Sequence, residues 1–260
     1  MPIENFGAYR GFADFLLDIK LGKVPNLELV EKFGYNLTAG AAPEAVWPLG
    51  GAYTGFLTAA QNVRVAAGNA ADTVAGAGAR RVRITGLVAD FTERTEILDT
   101  NGLAAGPNSI HQYVRINSAE VVETGAYGVG NTGAVNIEET GAASVMAHIA
   151  AGDSVDHQAV FTIPAGKKGY LIGRERSASQ RTNEEGAFDL RVREGADIVA
   201  PPFKPSKLIS FFDGVKGYEY SHELSRPLLP SKTDVWAEGY RGGSADTSLT
   251  SEFVIILMPE

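Results

Sequence analysis

Four features of this 260-residue chain could do chemistry: adjacent carboxylates, a glycine-rich run, four histidines and an acidic turn. The pairs Glu138-Glu139 and Glu184-Glu185 raise the question of glycoside hydrolysis. That reaction needs two carboxyl groups roughly 5–9.5 Å apart across one sugar ring. Neighbours on a strand point to opposite faces, so neither pair forms that dyad alone, and solvated turns are expected. Gly128-Val129-Gly130-Asn131-Thr132-Gly133 has the G-x-G-x-x-G spacing. A dinucleotide site requires that run to open a helix whose N-terminus meets the pyrophosphate. Here Ala134-Val135-Asn136-Ile137-Glu138 follows, with the alternation of a strand, so a turn is predicted.

His111, His148, His157 and His222 form neither H-x-x-x-H nor H-E-x-x-H, and no two lie within eight residues of each other. No His-based metal site is expected from such spacing. No G-x-S-x-G elbow is present; a Ser-His-Asp triad assembled across the fold stays open, because its geometry is spatial. Asp99-Thr100-Asn101-Gly102 resembles the opening of a calcium loop without its later bidentate Glu. The reading is therefore no catalytic, cofactor or metal site, and no enzyme. Trp47 and Trp236 could stack on sugar rings, with Tyr240 or an exposed loop beside them. Trp236 lies in the strand-like run Thr233–Gly239, where a core role is expected. Trp47, between Val46 and Pro48, reads as a plug for a pocket in its own chain or in a neighbour.

Composition narrows the class further. With 23 basic against 31 acidic side chains the formal net charge is −8, which repels a phosphate backbone. Arg80-Arg81 and Lys167-Lys168 are too small to reverse it, so no nucleic-acid partner is expected. Met1 to Ile3 lead into neither a basic region nor a long apolar core, so no signal peptide is expected. The longest apolar run, Phe253 to Met258, is too short to span a bilayer. The chain has no cysteine, which removes thiol chemistry and disulfide framing.

The elements that would position these residues are mostly strands. From Ala75 to Gly102 the text reads turn, strand, Gly turn, strand, Asn-Gly turn. Val82 and Ile84 alternate with Arg81, Arg83 and Thr85, the period of a half-buried strand. Further strands are predicted at Asn62–Ala66, Phe91–Leu98, His111–Asn117, Ala119–Glu123 and Ala134–Glu138. A second set covers His157–Ile163, Gly169–Ser177, Ala187–Arg193, Lys207–Phe212, Gly217–His222, Thr233–Gly239 and Glu252–Met258. Ala142–Ala151 carries a weak helical pattern. Before residue 59 the text differs. Phe12, Phe15, Leu16 and Ile19 mark one face of a short helix that Gly22 stops. From Lys23 to Ala60 prolines and glycines leave no sustained alternation. The predicted fold is all-β: two consecutive antiparallel β-sandwich, jelly-roll-like modules at 59–153 and 154–260. They follow an extended N-terminal arm at 1–58 with one short helix. That helix either grips another subunit or caps its own sandwich.

Several stretches together resemble a family of virion structural proteins of tailed bacteriophages, common in phages of aquatic bacteria. They are Leu21–Phe33, Pro43–Phe56, Ala75–Gly102, Tyr113–Ile137 and Val160–Leu171, in order along most of the chain. The resemblance implies a non-enzymatic component of head, neck or tail, located in the virion and made in the host cytoplasm. It implies a homo-oligomer, a trimer or ring, contacting the major capsid protein or head–tail and tail proteins, with no cofactor, nucleic acid or membrane. Capsid decoration, as a cement or vertex protein, is the leading role. A neck, collar or tail component and a carbohydrate-binding host-adhesion module are the alternatives. Phe12, Phe15, Leu16, Ile19 and Trp47 are the candidate assembly residues.

Overall fold

The computed structural model describes residues 11–180, 185–198, 204–205, 210–213, 217–222, 228–241 and 247–260. Helix α1 (Phe12–Lys20) precedes β1 (Glu28–Asn36), β2 (Glu44–Ala45), β3 (Gln61–Ala67), β4 (Ala79–Val88), β5 (Glu93–Asp99), β6 (Gln112–Thr124), β7 (Val135–Glu139) and β8 (Val145–Ile149). Then come β9 (Val160–Thr162), β10 (Lys167–Gln180), β11 (Glu185–Arg193), β12 (Lys204–Pro205), β13 (Ser210–Asp213), β14 (Gly217–His222), β15 (Asp234–Arg241) and β16 (Thr247–Pro259). Every ladder is antiparallel. The fold is all-β with one short N-terminal helix.

Strands β3 to β8 form one body, a sheet in the order β5-β4-β6-β3-β7-β8. Alternate side chains of its strands, among them Val63, Val65, Ile84, Ile116, Ile137 and Met146, meet in one apolar core. The outward face of β4 is charged. Arg81 pairs with Asp99 and Glu123, and Arg83 with Glu120, so this side stays solvated.

The remaining strands form two sheets, β1-β16-β10-β14 and β12-β11-β15-β2, the latter with β13 and β9 attached. Their inner faces share a core that includes Phe161, Phe188, Val235, Leu249, Phe253 and Ile255. Both outer faces are covered as well. On β15, Val235 and Ala237 face that core, while Asp234, Trp236 and Glu238 point the other way, toward the first body. There Ala45, Trp47, Tyr53 and Val160 join Phe56, Val145 and Trp236 in a second contact layer. On the opposite side Ile19 packs against Ile172 and Ile256, with Phe15 and Leu16 alongside. The order of layers is thus helix, sheet, sheet, first body. Helix α1 ends where Gly22 takes φ +70, the left-handed turn that glycine accepts without strain.

Most predicted strands are present, with instructive differences. His111–Asn117 and Ala119–Glu123 are one strand: Gly86 pairs with Ile116 and Thr85 with Ser118, so the ladder passes Asn117 as a bulge and continues. Ala142–Ala151 contains β8 and no helix. Its residues are buried on both faces, which erases the two-residue period. The stretch read as irregular holds β1 and β2. In β1 the inward positions are Val30, Lys32, Gly34 and Asn36, and the outward ones include Leu29, Phe33 and Tyr35. Polar residues face inward and apolar ones outward, so the alternation reads as noise. Gly34 sits there because a Cβ would collide with Val46 O and Ala159 N. Of the predicted strand Lys207–Phe212, residues 207–209 lie outside the described chain.

Candidate functional site

The densest polar cluster lies where the first body meets the double sheet. β6 carries Arg115 to the interface and β15 presents Asp234 from its outward face. Arg115 Nε donates to Asp234 Oδ1 at 2.7 Å and Nη2 to Oδ2 at 2.9 Å. The side chains are 1% and 0% exposed. Arg193 Nε, from β11, donates to Asp234 Oδ2 at 2.9 Å, and the Thr162 hydroxyl to Oδ1 at 2.6 Å. Arg115 Nη1 is held by the carbonyls of Leu57 and Val114. The Phe56 ring lies 5.0 Å from the Arg115 guanidinium and 5.2 Å from that of Arg193, a cation–π arrangement. One carboxylate thus holds two guanidiniums and a hydroxyl, and the cluster joins layers.

Two further links cross the same interface. Asn117 Nδ2 donates to Thr162 O at 2.8 Å, and Thr162 N returns a bond to Asn117 Oδ1 at 2.9 Å. Lys32 Nζ donates to Asn117 O at 2.8 Å and lies 3.4 Å from Asp156 Oδ2. Asp156 also accepts the Ala119 amide.

The residues singled out from sequence fall elsewhere. Phe15, Leu16 and Ile19 pack under the helix on their own sheet, and the Phe12 side chain lies outside the described residues. The helix thus packs on the outer face of its own sheet and turns Leu17 and Leu21 to solvent. Trp47 is 2% exposed. Its ring meets Tyr53 at 5.1 Å and its Nε1 donates to Gly50 O. It plugs a pocket of its own chain and presents no face to a glycan. Trp236 stacks on Phe56 at 5.2 Å, in the core role expected.

The motifs resolve into structure. Glu138 pairs with Arg64. Glu139 accepts the amides of Gly141, Ala142 and Ser144. Glu184 lies outside the described residues. The glycine-rich run turns back into β7, and two of its amides are already taken. The Thr132 and Gly133 amides donate to buried Asp72, as does Ala79 N. The amides that would bind a phosphate hold a carboxylate of the same chain. Asp99 pairs with Arg81, and the Thr100 hydroxyl donates to Ala79 O. His148 Nδ1 lies 2.6 Å from Asn136 Oδ1, and His157 contacts Phe33, Tyr35 and Asp153. The His222 side chain lies outside the described residues. Among the described residues no three His, Asp or Glu side chains could hold one metal ion, and no helix is long and apolar enough to cross a membrane.

Sequence reasoning missed the exposed apolar tips. Leu103, Ile110 and Tyr127 stand free at loop ends, with Ile110 84% exposed. The Ile110 backbone is nonetheless fixed. Its amide and that of His111 donate to Glu96, and Asn62 and Val63 bond to Ser109 beside it. The available signal was a large apolar residue inside each Gly-, Asn- or Pro-rich turn.

No protein-family model matches the sequence, and no curated protein does. Among solved structures, one of the Gx strain of infectious bursal disease virus aligns at 10% identity and a TM-score of 0.10. That alignment covers 90% of this chain and 76% of the viral one. A structure of T=1 particles derived from infectious bursal virus aligns at 13% identity and a TM-score of 0.13, covering 91% and 71%. Scores this low do not establish a common fold.

Proposed function

We propose that the chain is a non-enzymatic structural protein of a tailed-phage virion, decorating or stabilising the capsid as a cement or vertex protein. Its partners are other copies of itself, in a trimer or ring, and the major capsid protein. It is made in the host cytoplasm and located in the particle. The division into segments 1–58, 59–153 and 154–260 belongs to the same proposal. The first segment then lends β1 and β2 to the third and caps it with α1. The resemblance of the sequence to such proteins supports this reading. So does a junction whose strongest groups serve cohesion.

One observation carries the reading: Ile110 is held rigidly by its backbone while its side chain is left in water. Ordering an interface side chain costs roughly 0.5–1.5 kcal/mol. The fixed Ile110 backbone spares the further cost of ordering the loop, which suits the tip to anchor a neighbour. Repetition around a ring or shell turns such modest contacts into firm attachment.

The test uses Leu103→Asp, Ile110→Asp and Tyr127→Ala, alone and together, with Leu17→Asp on the helix as a further surface. All four sites are solvent-exposed, so circular dichroism should match the parent chain. The expected result is loss of co-sedimentation with purified particles for the combined variant. Unchanged incorporation of every variant, or absence of the chain from purified particles by mass spectrometry, refutes the proposal.

A further inference from the structure

We propose that the cleft between β1 and the first body binds an uncharged sugar ring. It has a volume of about 460 Å³, within the range of small-molecule sites, roughly 300–1,000 Å³. Leu29 and Phe33 of β1 line it together with Thr85, Glu93 and Ser118 of the first body, and His157 lies beside Phe33. Phe33 is 40% exposed. It meets His157 edge-on, at 5.5 Å and 85°, a contact that leaves much of the ring open to a flat apolar ligand face. Tyr35 backs the pair from 5.6 Å and is fixed through its hydroxyl to Asp153 at 2.6 Å. The aromatic group is thus preorganised and still accessible.

The polar groups select the class of ligand. At the base of the cleft the Lys32 ammonium is committed to Asn117 O and Asp156, so it is not free to neutralise an anion. Glu93 of the first body has no ion pair among the described residues. Glu31 also lines the cleft and holds the Lys20 ammonium at 2.8 Å, so an anionic ligand would meet two carboxylates with no uncommitted cation among the lining residues. A purely apolar ligand would bury Glu93 and Ser118 without partners, at a cost. A neutral pyranose satisfies both demands. Its C–H face lies on Phe33 while its hydroxyls donate to Glu93 and exchange bonds with Ser118. This site is separate from the exposed tips and goes beyond the assembly role.

Saturation-transfer NMR on the full chain tests it, with glucose, galactose, N-acetylglucosamine, maltotriose and cellotriose as probes and tri-lysine as the cationic comparison. The expected result is transfer to sugar ring protons, with affinity about tenfold weaker in Phe33→Ala, the loss of one stacking ring. Glu93→Gln, at an exposed position, provides a second variant should Phe33→Ala misfold. Weaker binding in either variant with an unchanged circular dichroism spectrum supports the site. No transfer to any of the sugars, undiminished binding in both variants, or binding of tri-lysine in their place overturns it. Particle incorporation is read separately, so failure here leaves the assembly proposal untouched.

Discussion

Replacing Asp234 by Asn tests the junction most severely. The change keeps the shape of the side chain and removes its charge. Arg115, 1% exposed, is then buried beside a neutral amide, and Arg193 loses the same anion. Breaking a buried pair by removing one partner costs about 3–5 kcal/mol. The upper part of that range applies to Asp234→Asn, because one carboxylate serves two guanidiniums and the Thr162 hydroxyl. Arg115→Met falls in the lower part, since Asp234 keeps Arg193, although the Leu57 and Val114 carbonyls lose their donor. The double variant Arg115→Met/Asp234→Leu leaves no buried charge without a partner at that spot. Arg193, nearer the rim with 15% of its side chain exposed, can turn to water. The double variant is therefore expected to be more stable than Asp234→Asn alone, and its cost to fall well short of the summed costs of Arg115→Met and Asp234→Leu made singly. Urea unfolding measures all four. Calorimetry should place Asp234→Asn roughly 10 °C below the parent, at about 2–4 °C per kcal/mol. A loss under about 1 kcal/mol for Asp234→Asn, or strict additivity in the double variant, would refute the claim that this pair couples the layers.

Three other perturbations have defined outcomes. Burial pushes the Glu139 carboxyl up, but the amides of Gly141, Ser144 and Ala142 together outweigh it and leave it below its ordinary value. Its contribution is present above the unfolded carboxyl's pKa and lost as pH falls through the lower folded value. Stability measured from pH 7 to pH 3 should therefore fall less steeply in Glu139→Gln. Burial lowers the His148 imidazole against the opposing charge of Asp153. The neutral ring is favoured in the fold, so stability declines as pH drops below the ordinary histidine value. His148→Gln should flatten the slope between pH 7 and pH 5. Gly34→Ala forces a methyl group onto Val46 O and Ala159 N, and should cost about 1–3 kcal/mol by urea unfolding, as overpacking does.

How much was legible depended on whether a strand has one wet face. β4 alternates Arg81, Arg83 and Thr85 against Val82 and Ile84 because one side meets water, and it could be read at sight. β8 is buried on both sides and passed for a helical patch. β1 points Lys32 and Asn36 inward, where Asn117 O and Glu44 receive them, and shows Leu29 and Phe33 outward. Its polarity is inverted relative to the rule that reading relies on. The helix could be placed, including its stop at Gly22, but its partner could not. An apolar stripe states that burial occurs and not against whom. The junction was invisible for the same reason. Arg115 and Asp234 are 119 residues apart, and single charges at that separation carry no pattern.

The junction also bears on why this chain buries so many charges. Two apolar faces pressed together can slide, since hydrophobic contact has no preferred direction. The layer of Trp47, Tyr53, Phe56 and Trp236 would hold the first body to the double sheet without fixing its angle. Arg115 on Asp234 is bidentate, and its planar fork accepts one orientation only. Asn117 and Thr162 exchange bonds in both directions, and Lys32 reaches the same strand from β1. The three links share Thr162 and Asn117, so Arg115, Asp234, Thr162, Asn117 and Lys32 form one continuous polar network across the interface. The energetic return from buried ion pairs over apolar replacements is small or negative. Their value here is directional: they fix the angle that apolar contact leaves free.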